Sequence, residues 1–436
     1  MGLAPEAAWQ LAARSGSKHA NSPKGREESL EIVTQSDALK SPDTGRLHAG
    51  IVLLVSLILQ TLVILASYHF AAIPPLTSWG FENIAIARSL HAGNGFSSPF
   101  FSPSGPTAFI APGYPLLLAG IMKIFGTGSA AATFAIVLQV LCVLGTVFFV
   151  MKVAQNQFGN KMGNLAGLIC VFSPATLIMP VKIWDTSVSA LLVVLIFAAV
   201  VSGQVTRARF VPAGVLCAIA GLINPSLLPT LFVLCAWSAW QAKKVPWLGL
   251  LAFLVCFSAW PVRNALVMHA FIPLRTDFGY ELWMGNHPGA NGDFVESMNP
   301  MMDAGERKAF LSMGEVAYLN EKREFAMAYI LSHPGVFFRL SCQRVVKFWF
   351  GPSQDSNGTE APLVLGGLIG FVLLRKRRMN MLLYAIPLII FPLPYYVTHV
   401  NARFQYVIDP LLAVLAAHAI NSLLLSKRQV ASPANE

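Results

Sequence analysis

Residues 49–73 read AGIVLLVSLILQTLVILASYHFAAI, with no Asp, Glu, Lys or Arg anywhere in the run. An α-helix of roughly 20 apolar residues, at about 1.5 Å rise each, crosses the ~30 Å hydrocarbon core of a bilayer. Apolar residues occupy every face of that helix, as in a membrane span and unlike the striped face of a surface helix. Further apolar runs recur at 134–151, 186–201 and 246–262. A membrane barrel would instead show ~10-residue segments of alternating polarity. The fold class is therefore an all-α polytopic membrane protein of about ten transmembrane helices, with outer-face loops and juxtamembrane helices.

Composition agrees: the 436 residues are 55% hydrophobic and 12% charged, where a soluble domain carries about 25% charged residues. The formal charge of +10 does not mark a nucleic-acid surface. Its basic residues sit in short clusters between apolar runs: Arg207 and Arg209, Lys243 and Lys244, 375–378, Lys427 and Arg428. Cytoplasmic loops carry such clusters, so the charge reports topology, and no nucleic-acid partner is expected. Cys142, Cys170, Cys217, Cys235 and Cys256 lie within apolar runs and read as small buried hydrophobes. Cys342 lies in a mixed segment, and no disulfide framework is indicated.

Residues 1–47 are polar, with six acids and six bases, and read as a disordered cytoplasmic tail. A transmembrane core follows over 48–262, containing a first outer loop at 74–127. Residues 112–125 are too short to cross comfortably. Laying them along the outer surface puts 152–161 and Arg207/Arg209 inside. A long outer segment with amphipathic helices occupies 263–360, C-terminal transmembrane helices occupy 361–425, and 426–436 form a second cytoplasmic tail. In the outer segment Asp303 and Glu306 have capping-box spacing. Residues 336–350 place Arg339, Gln343 and Lys347 four apart, the pattern of a helix lying in the membrane interface.

Between Leu47 and Val262 the chain has two acids, Glu82 and Asp185. Both fall on the outer face in this topology. An ionisable group near a membrane bundle suggests function, although Glu82 also suits the first turn of a helix and Asp185 suits an N-cap. The loop 93–107 (GNGFSSPFFSPSGPT) and 111–115 (APGYP) has the Gly, Pro and aromatic content of a shaped ligand loop. Arg403, in NARFQY at 401–406, can clamp a phosphate, pair with Asp409 or anchor its helix. Lys182 is the other cation near Asp185. His287, in the turn-like stretch 285–289, is the histidine best placed for a substrate loop. No metal cluster or phosphate-binding P-loop is found. Asn357-Gly-Thr359 matches the glycosylation pattern, which arises often by chance.

The stretches 80–90 (GFENIAIARSL), 93–115 and 182–186 (KIWDT) resemble polytopic GT-C glycosyltransferases, in particular family 39-like membrane proteins. Arg263-Asn264, Gly285-Asn286 and 403–406 are similar to that group as well. The layout over 48–425 is similar to that of protein mannosyltransferases and the lipid A aminoarabinose transferase. The resemblance implies transfer of a sugar from a polyprenyl-phosphate-linked donor to a glycan, lipid or protein acceptor on the outer face. It implies an integral protein of a bacterial inner membrane with both termini cytoplasmic. Its catalytic acids map onto Glu82 and Asp185, and its donor phosphate onto Arg403, with Lys182 second. Arg88, Tyr114 and His287 map to the substrate loops. The family's first-loop motif is Asp-Glu, or Asp before an aromatic; this chain has Phe81-Glu82, displaced by about one helical turn when Ala87-Arg88 are aligned. No cofactor is firmly implied. A divalent cation is compatible with the family, though two separated carboxylates make a poor site for one. A lipid-linked sugar transporter, hinted at by Asn224-Pro225, and a non-catalytic membrane assembly protein are the alternative functions.

Overall fold

The 49–73 run forms most of helix α1 (Pro42–Ala71) in the computed structural model, which describes residues 42–71, 81–100, 103–203, 210–293, 295–353, 356–357, 360–376 and 378–431. Most of the expected N-terminal tail, the start of the first outer loop, Arg207, Arg209, Thr359, Arg377 and 432–436 lie outside the described residues. Residues 48–436 form one unit, distinct from 1–47.

Two short helices follow α1: α2 (Glu82–His91) and α3 (Gly113–Phe125). With 13 residues, α3 spans about 20 Å, too little to cross a bilayer. It starts against Leu222 and Ile223, where a Cβ on Gly113 would lie 2.7 Å from the Ile223 side chain. Helix α4 (Ser129–Phe158) is long enough to cross, and α5 (Asn160–Phe172) returns beside it. Gly159 makes the reversal in one residue at φ +92°, a conformation open to glycine. Gly163 and Gly167, four apart on α5, then let its backbone approach Met151 of α4. Small residues at that spacing are the common device for close helix packing in membranes.

The next helix, α6 (Pro174–Ile178), continues α5 at a bend of 64° when taken with its 3₁₀ extension to Val181. Pro174 holds Ser173 in an extended conformation, which ends α5. Glu360 satisfies the freed groups, accepting from Ala175 N (2.7 Å) and Ser173 Oγ (3.0 Å). The bend delivers the chain to Lys182–Asp185 and then to α7 (Thr186–Val201). Helices α8 (Phe210–Ile223) and α9 (Leu228–Gln241) form a hairpin through Asn224 and the 3₁₀ turn Pro225–Leu227. In α10 (Trp247–Met268), Gly249 touches Gly214 of α8 backbone to backbone.

The segment beyond α10 holds α11 (Phe278–Gly285), α12 (Ala304–Met313), α13 (Glu315–Ser332) and α14 (Pro334–Phe350), then a two-residue ladder, β1 (Pro352–Ser353) with β2 (Ser356–Asn357). Asp303 caps α12 by accepting from Glu306 N (2.8 Å). The reciprocal half of the capping box is not made: the Glu306 carboxylate accepts from Tyr318 Oη and pairs with Lys322. The chain closes with α15 (Ala361–Leu373), α16 (Arg378–Ile390), α17 (Leu393–Val397), α18 (Ala402–Tyr406) and α19 (Asp409–Ala431). The first half of α19 is the buried axis of the bundle, with Leu411–Leu415 and Ala417 fully enclosed. That stretch is apolar all round, as a helix surrounded by others must be.

Apolar helices stand at every expected span, but fewer reach full crossing length than the sequence reading implied. Among the described residues, 48–68, Ser129–Phe158 and Trp247–Met268 qualify singly, and the bent α5–α6 pair makes a fourth. The other apolar helices have 10–17 residues. The run 379–397 divides into α16 and α17 at Pro392. One cysteine expectation is corrected: Cys256 is exposed, on a face of α10 turned away from the bundle.

The α15–α19 seam depends on Gly367 and Gly370. A Cβ at Gly370 would overlap the Leu415 carbonyl, and one at Gly367 would lie 2.7 Å from the Leu412 side chain. Overpacking of this kind costs about 1–3 kcal/mol. Gly370→Ala is expected to lower the thermal midpoint of the detergent-solubilised protein, whereas Gly120→Ala, with nothing within 4 Å, should leave it unchanged. Equal midpoints for the two variants would refute the close packing.

Candidate functional site

A cleft with about 170 Å³ of open volume lies where seven parts of the chain meet: the start of α2, residues 109–111, the start of α7, the α8–α9 turn, residues 275–281, residues 299–302, and the α17–α18 turn. Glu82, Asp185 and Arg403, more than 300 residues apart at the extremes, all line it.

Arg403 is the cleft's residue with the most aromatic contact of its charge. Its guanidinium lies over the Trp184 ring (4.7 Å) and the Phe404 ring (5.1 Å), and Phe81 meets Trp184 edge-on at 5.7 Å. Asn401 caps its short helix, accepting from Arg403 N at 3.0 Å. Arg403 Nε is buried with no hydrogen-bond partner among the described residues. The expected alternative, a pair with Asp409, is not formed among the described residues, where Asp409 is buried at the start of α19. A guanidinium held over an indole with a donor left unsatisfied is a ready anion contact.

The two acids flank this guanidinium. Burial pushes Glu82 above the ordinary carboxylate range; its own backbone N–H, Arg403 and Asn299 oppose the rise, and Glu281 adds to it. Burial likewise raises Asp185, opposed by Arg403 and Arg275. Asp185 occupies the N-cap position of α7, but its carboxylate makes no cap hydrogen bond. It accepts from Ser189 Oγ at 3.4 Å instead, and Ser189 Oγ in turn accepts from Asn224 Nδ2 at 3.4 Å. Asn224 thus belongs to the cleft wall and to the turn joining α8 to α9. Glu82 does sit in the first turn of α2, so the helix dipole and the cleft act on it together.

The second wall comes from residues that the sequence reading passed over. Arg275 pairs with Asp277 (2.9 Å), and His399 Nδ1 lies 2.8 Å from Glu281. Burial raises Asp277 despite Arg275. For Glu281 burial acts upward too, but His399, Arg275 and Arg403 outweigh it and hold the carboxyl below its usual range. The available signals were Asp277 and Glu281 four apart, on one helical face directly after Arg275, and His399 in the same short turn as Arg403.

Two braces hold the walls. Glu315 is buried and takes hydrogen bonds from Thr107 Oγ1, Ala108 N (2.8 Å) and Thr276 Oγ1 (2.7 Å). Arg263 donates to Thr107 O and Phe96 O (2.6 and 2.8 Å). Together they fix the far limb of the Gly/Pro-rich loop, and Phe100, Phe109, Tyr280, Phe310 and Tyr318 pack that loop onto α11–α13. The other brace is Arg344, fully enclosed, which donates to Gly285 O, Asn286 Oδ1 (3.1 Å) and Tyr396 O (3.3 Å). It joins the end of α11 to the turn bearing His399. In the expected interfacial helix, Arg339 and Gln343 do face outward, while Lys347 pairs with Asp293 at 2.7 Å.

Lys182, Arg88, Tyr114 and His287 do not line the cleft. Lys182 Nζ lies 4.9 Å over the Trp184 ring. Arg88 is half-buried near the end of α2. Tyr114 is enclosed in a core cluster, its hydroxyl accepting from Gln139 Nε2 at 3.0 Å. The same amide donates to Trp184 O (2.5 Å) and Lys182 O (3.1 Å), so Tyr114 reaches the site through Gln139 and the indole it holds. His287 packs beside Trp283, with Nδ1 2.8 Å from Pro288 O. Among the described residues no group of three or more His, Cys, Asp or Glu is placed to hold a metal ion.

No family model matches the chain, and no curated protein is similar to it in sequence. Among solved structures it is similar to the archaeal oligosaccharyltransferase AglB from Archaeoglobus fulgidus in complex with an inhibitory peptide and a dolichol-phosphate. That likeness has 14% identity and a TM-score of 0.49, covering 90% of this chain and 52% of the other. It is also similar to ArnT from Cupriavidus metallidurans bound to undecaprenyl phosphate, at 13% identity and a TM-score of 0.40, covering 84% of this chain and 78% of that one. The chain spans about half the length of the oligosaccharyltransferase it matches. Both likenesses concern the fold.

Proposed function

We propose that this chain is a GT-C-type membrane glycosyltransferase, moving a hexosyl or pentosyl group from a polyprenyl-phosphate-linked donor to an acceptor hydroxyl at the outer face of the membrane. The observation that carries the proposal is Arg403: a guanidinium over the Trp184 ring, its Nε without a partner among the described residues, in one cleft with two half-buried carboxylates on which its charge acts. Glu82 accepts the proton of the acceptor hydroxyl as its oxygen attacks the anomeric carbon. The bond from that carbon to the phosphate oxygen breaks, and the phosphate leaves with the electron pair. Arg403 meets the charge that develops there. Asp185, steadied by Ser189 and Asn224, positions the acceptor. In this reading the cleft faces outward in a bacterial inner membrane with both termini cytoplasmic, and the acceptor is a glycan, lipid or protein.

A transporter would place its charged groups near the bilayer midplane. Here they gather where loops and helix ends meet, and Asn224-Pro225 forms a turn between two helices rather than a break within one. The test is to supply the purified protein with a panel of polyprenyl-phosphate sugars and nucleotide sugars, together with an envelope extract as acceptor. Mass spectrometry should find sugar transferred from a lipid-linked donor. Transfer from a nucleotide sugar with every lipid donor inert would overturn the donor assignment, and lipid-sugar movement across liposomes without bond cleavage would favour a transporter.

A further inference from the structure

We infer that a groove between α8, α9 and α10, at the end of the bundle away from the cleft, binds an anionic two-chain phospholipid. This goes beyond the transferase reading and does not depend on it. The groove has an open volume of about 700 Å³, within the range of small-molecule sites. Phe210, Cys217, Phe232, Ala236 and Phe253 are among its walls. Its floor is the contact of Gly214 with Gly249, where missing side chains bring two helix backbones together and leave the space above them open. Its far end lies about 20 Å from the cleft, the length of α8, because Phe210 begins that helix at the groove and Ile223 ends it at the cleft, while Cys217 marks the groove's nearer limit.

Its polarity selects the occupant. Trp240 and Trp247 line it and are exposed, at 65% and 68%. Exposed indoles of this kind collect at membrane–water boundaries. Lys243 and Lys244 are the charged residues among its lining, and neither forms an ion pair among the described residues. A groove apolar below and doubly cationic at the boundary fits acyl chains topped by a negative headgroup, since hydrocarbon and not water must fill it. Anionic lipid is the property of the cytoplasmic leaflet, the side to which the basic clusters assign this turn.

Lys243 also shapes the turn at which the two ammonium groups stand. The turn ends α9 in a Schellman motif, with Lys243 N donating to Trp240 O (3.1 Å) and Lys244 N to Ala239 O (3.1 Å). Lys243 takes the left-handed position at φ +50°, where Gly or Asn is the usual occupant.

The experiment reconstitutes the full chain in phosphatidylcholine nanodiscs containing a small, equal fraction of chain-brominated phosphatidylglycerol or chain-brominated phosphatidylcholine, and reads tryptophan quenching. Each lysine near an anionic headgroup is worth about fivefold in affinity, so the phosphatidylglycerol should quench at a several-fold lower fraction. Lys243→Gln with Lys244→Gln should abolish that preference, and Trp240→Phe with Trp247→Phe should remove the extra quenching. Lys243→Asn, which suits the left-handed turn, should weaken the preference with no loss of thermal stability, separating lost charge from misfolding. Equal quenching by the two lipids, or a preference that survives the double glutamine variant, overturns the proposal. A two-copy particle in which neither lipid reaches Trp240 also overturns it, in favour of a second copy of the chain.

Discussion

Glu82→Gln is expected to lower sugar transfer by about 10²–10⁴-fold, the usual contribution of a general base, with the protein still inserted at normal abundance. The amide keeps the size of the carboxyl but cannot take a proton. Asp185→Asn should also reduce transfer, because its carboxylate is held by Ser189 and makes no helix cap whose loss would explain the effect through stability. Full activity at reduced abundance would return both acids to a structural role. The pH profile offers an independent check. Burial raises Glu82 and Asp185 above their ordinary values, and each must be ionised to act. Activity is therefore present at high pH and lost as pH falls through the raised values, so the acid limb should lie above the usual carboxylate range. A limb at or below that range would contradict the burial of these groups.

Arg403→Ala should cost about 10²–10³-fold in kcat/KM for a lipid-linked donor, the size of losing one transition-state charge contact. Its positive charge also opposes the burial-driven rise at both acids. The acid limb of the variant should therefore move to higher pH, a shift that mere loss of packing on Trp184 would not produce. Arg403→Lys restores the charge but neither the guanidinium contact with Trp184 nor the Nε donor, and should recover the limb position with only part of the rate. If Arg403→Ala turned over the donor at the full rate, the phosphate would have to meet another cation, and Arg275, in the same cleft, would be the next to test.

By itself the sequence determined the all-α membrane architecture and a short list of residues for the site. Apolar runs such as 49–73 and 134–151 record the solvent around each helix, which is a local property and survives in one dimension. The isolation of Glu82 and Asp185 in a long acid-free stretch marked them for the same reason: an acid near lipid is costly enough to be rare. Tertiary structure decided what those residues meet. Arg403 could not be seen to lie on Trp184, nor Glu315 to hold Thr107, because contacts between distant segments depend on how helices pack, and no periodicity encodes a partner. The packing itself turns on glycines that read as ordinary apolar positions, Gly163, Gly214, Gly249 and Gly370, where the missing Cβ sets how closely two backbones approach. The same geometry drew Arg275, Asp277, Glu281 and His399 to the cleft and left Tyr114, Arg88 and His287 off its lining. Lining a cavity depends on side-chain direction in three dimensions, while the sequence gives only the order in which the side chains come.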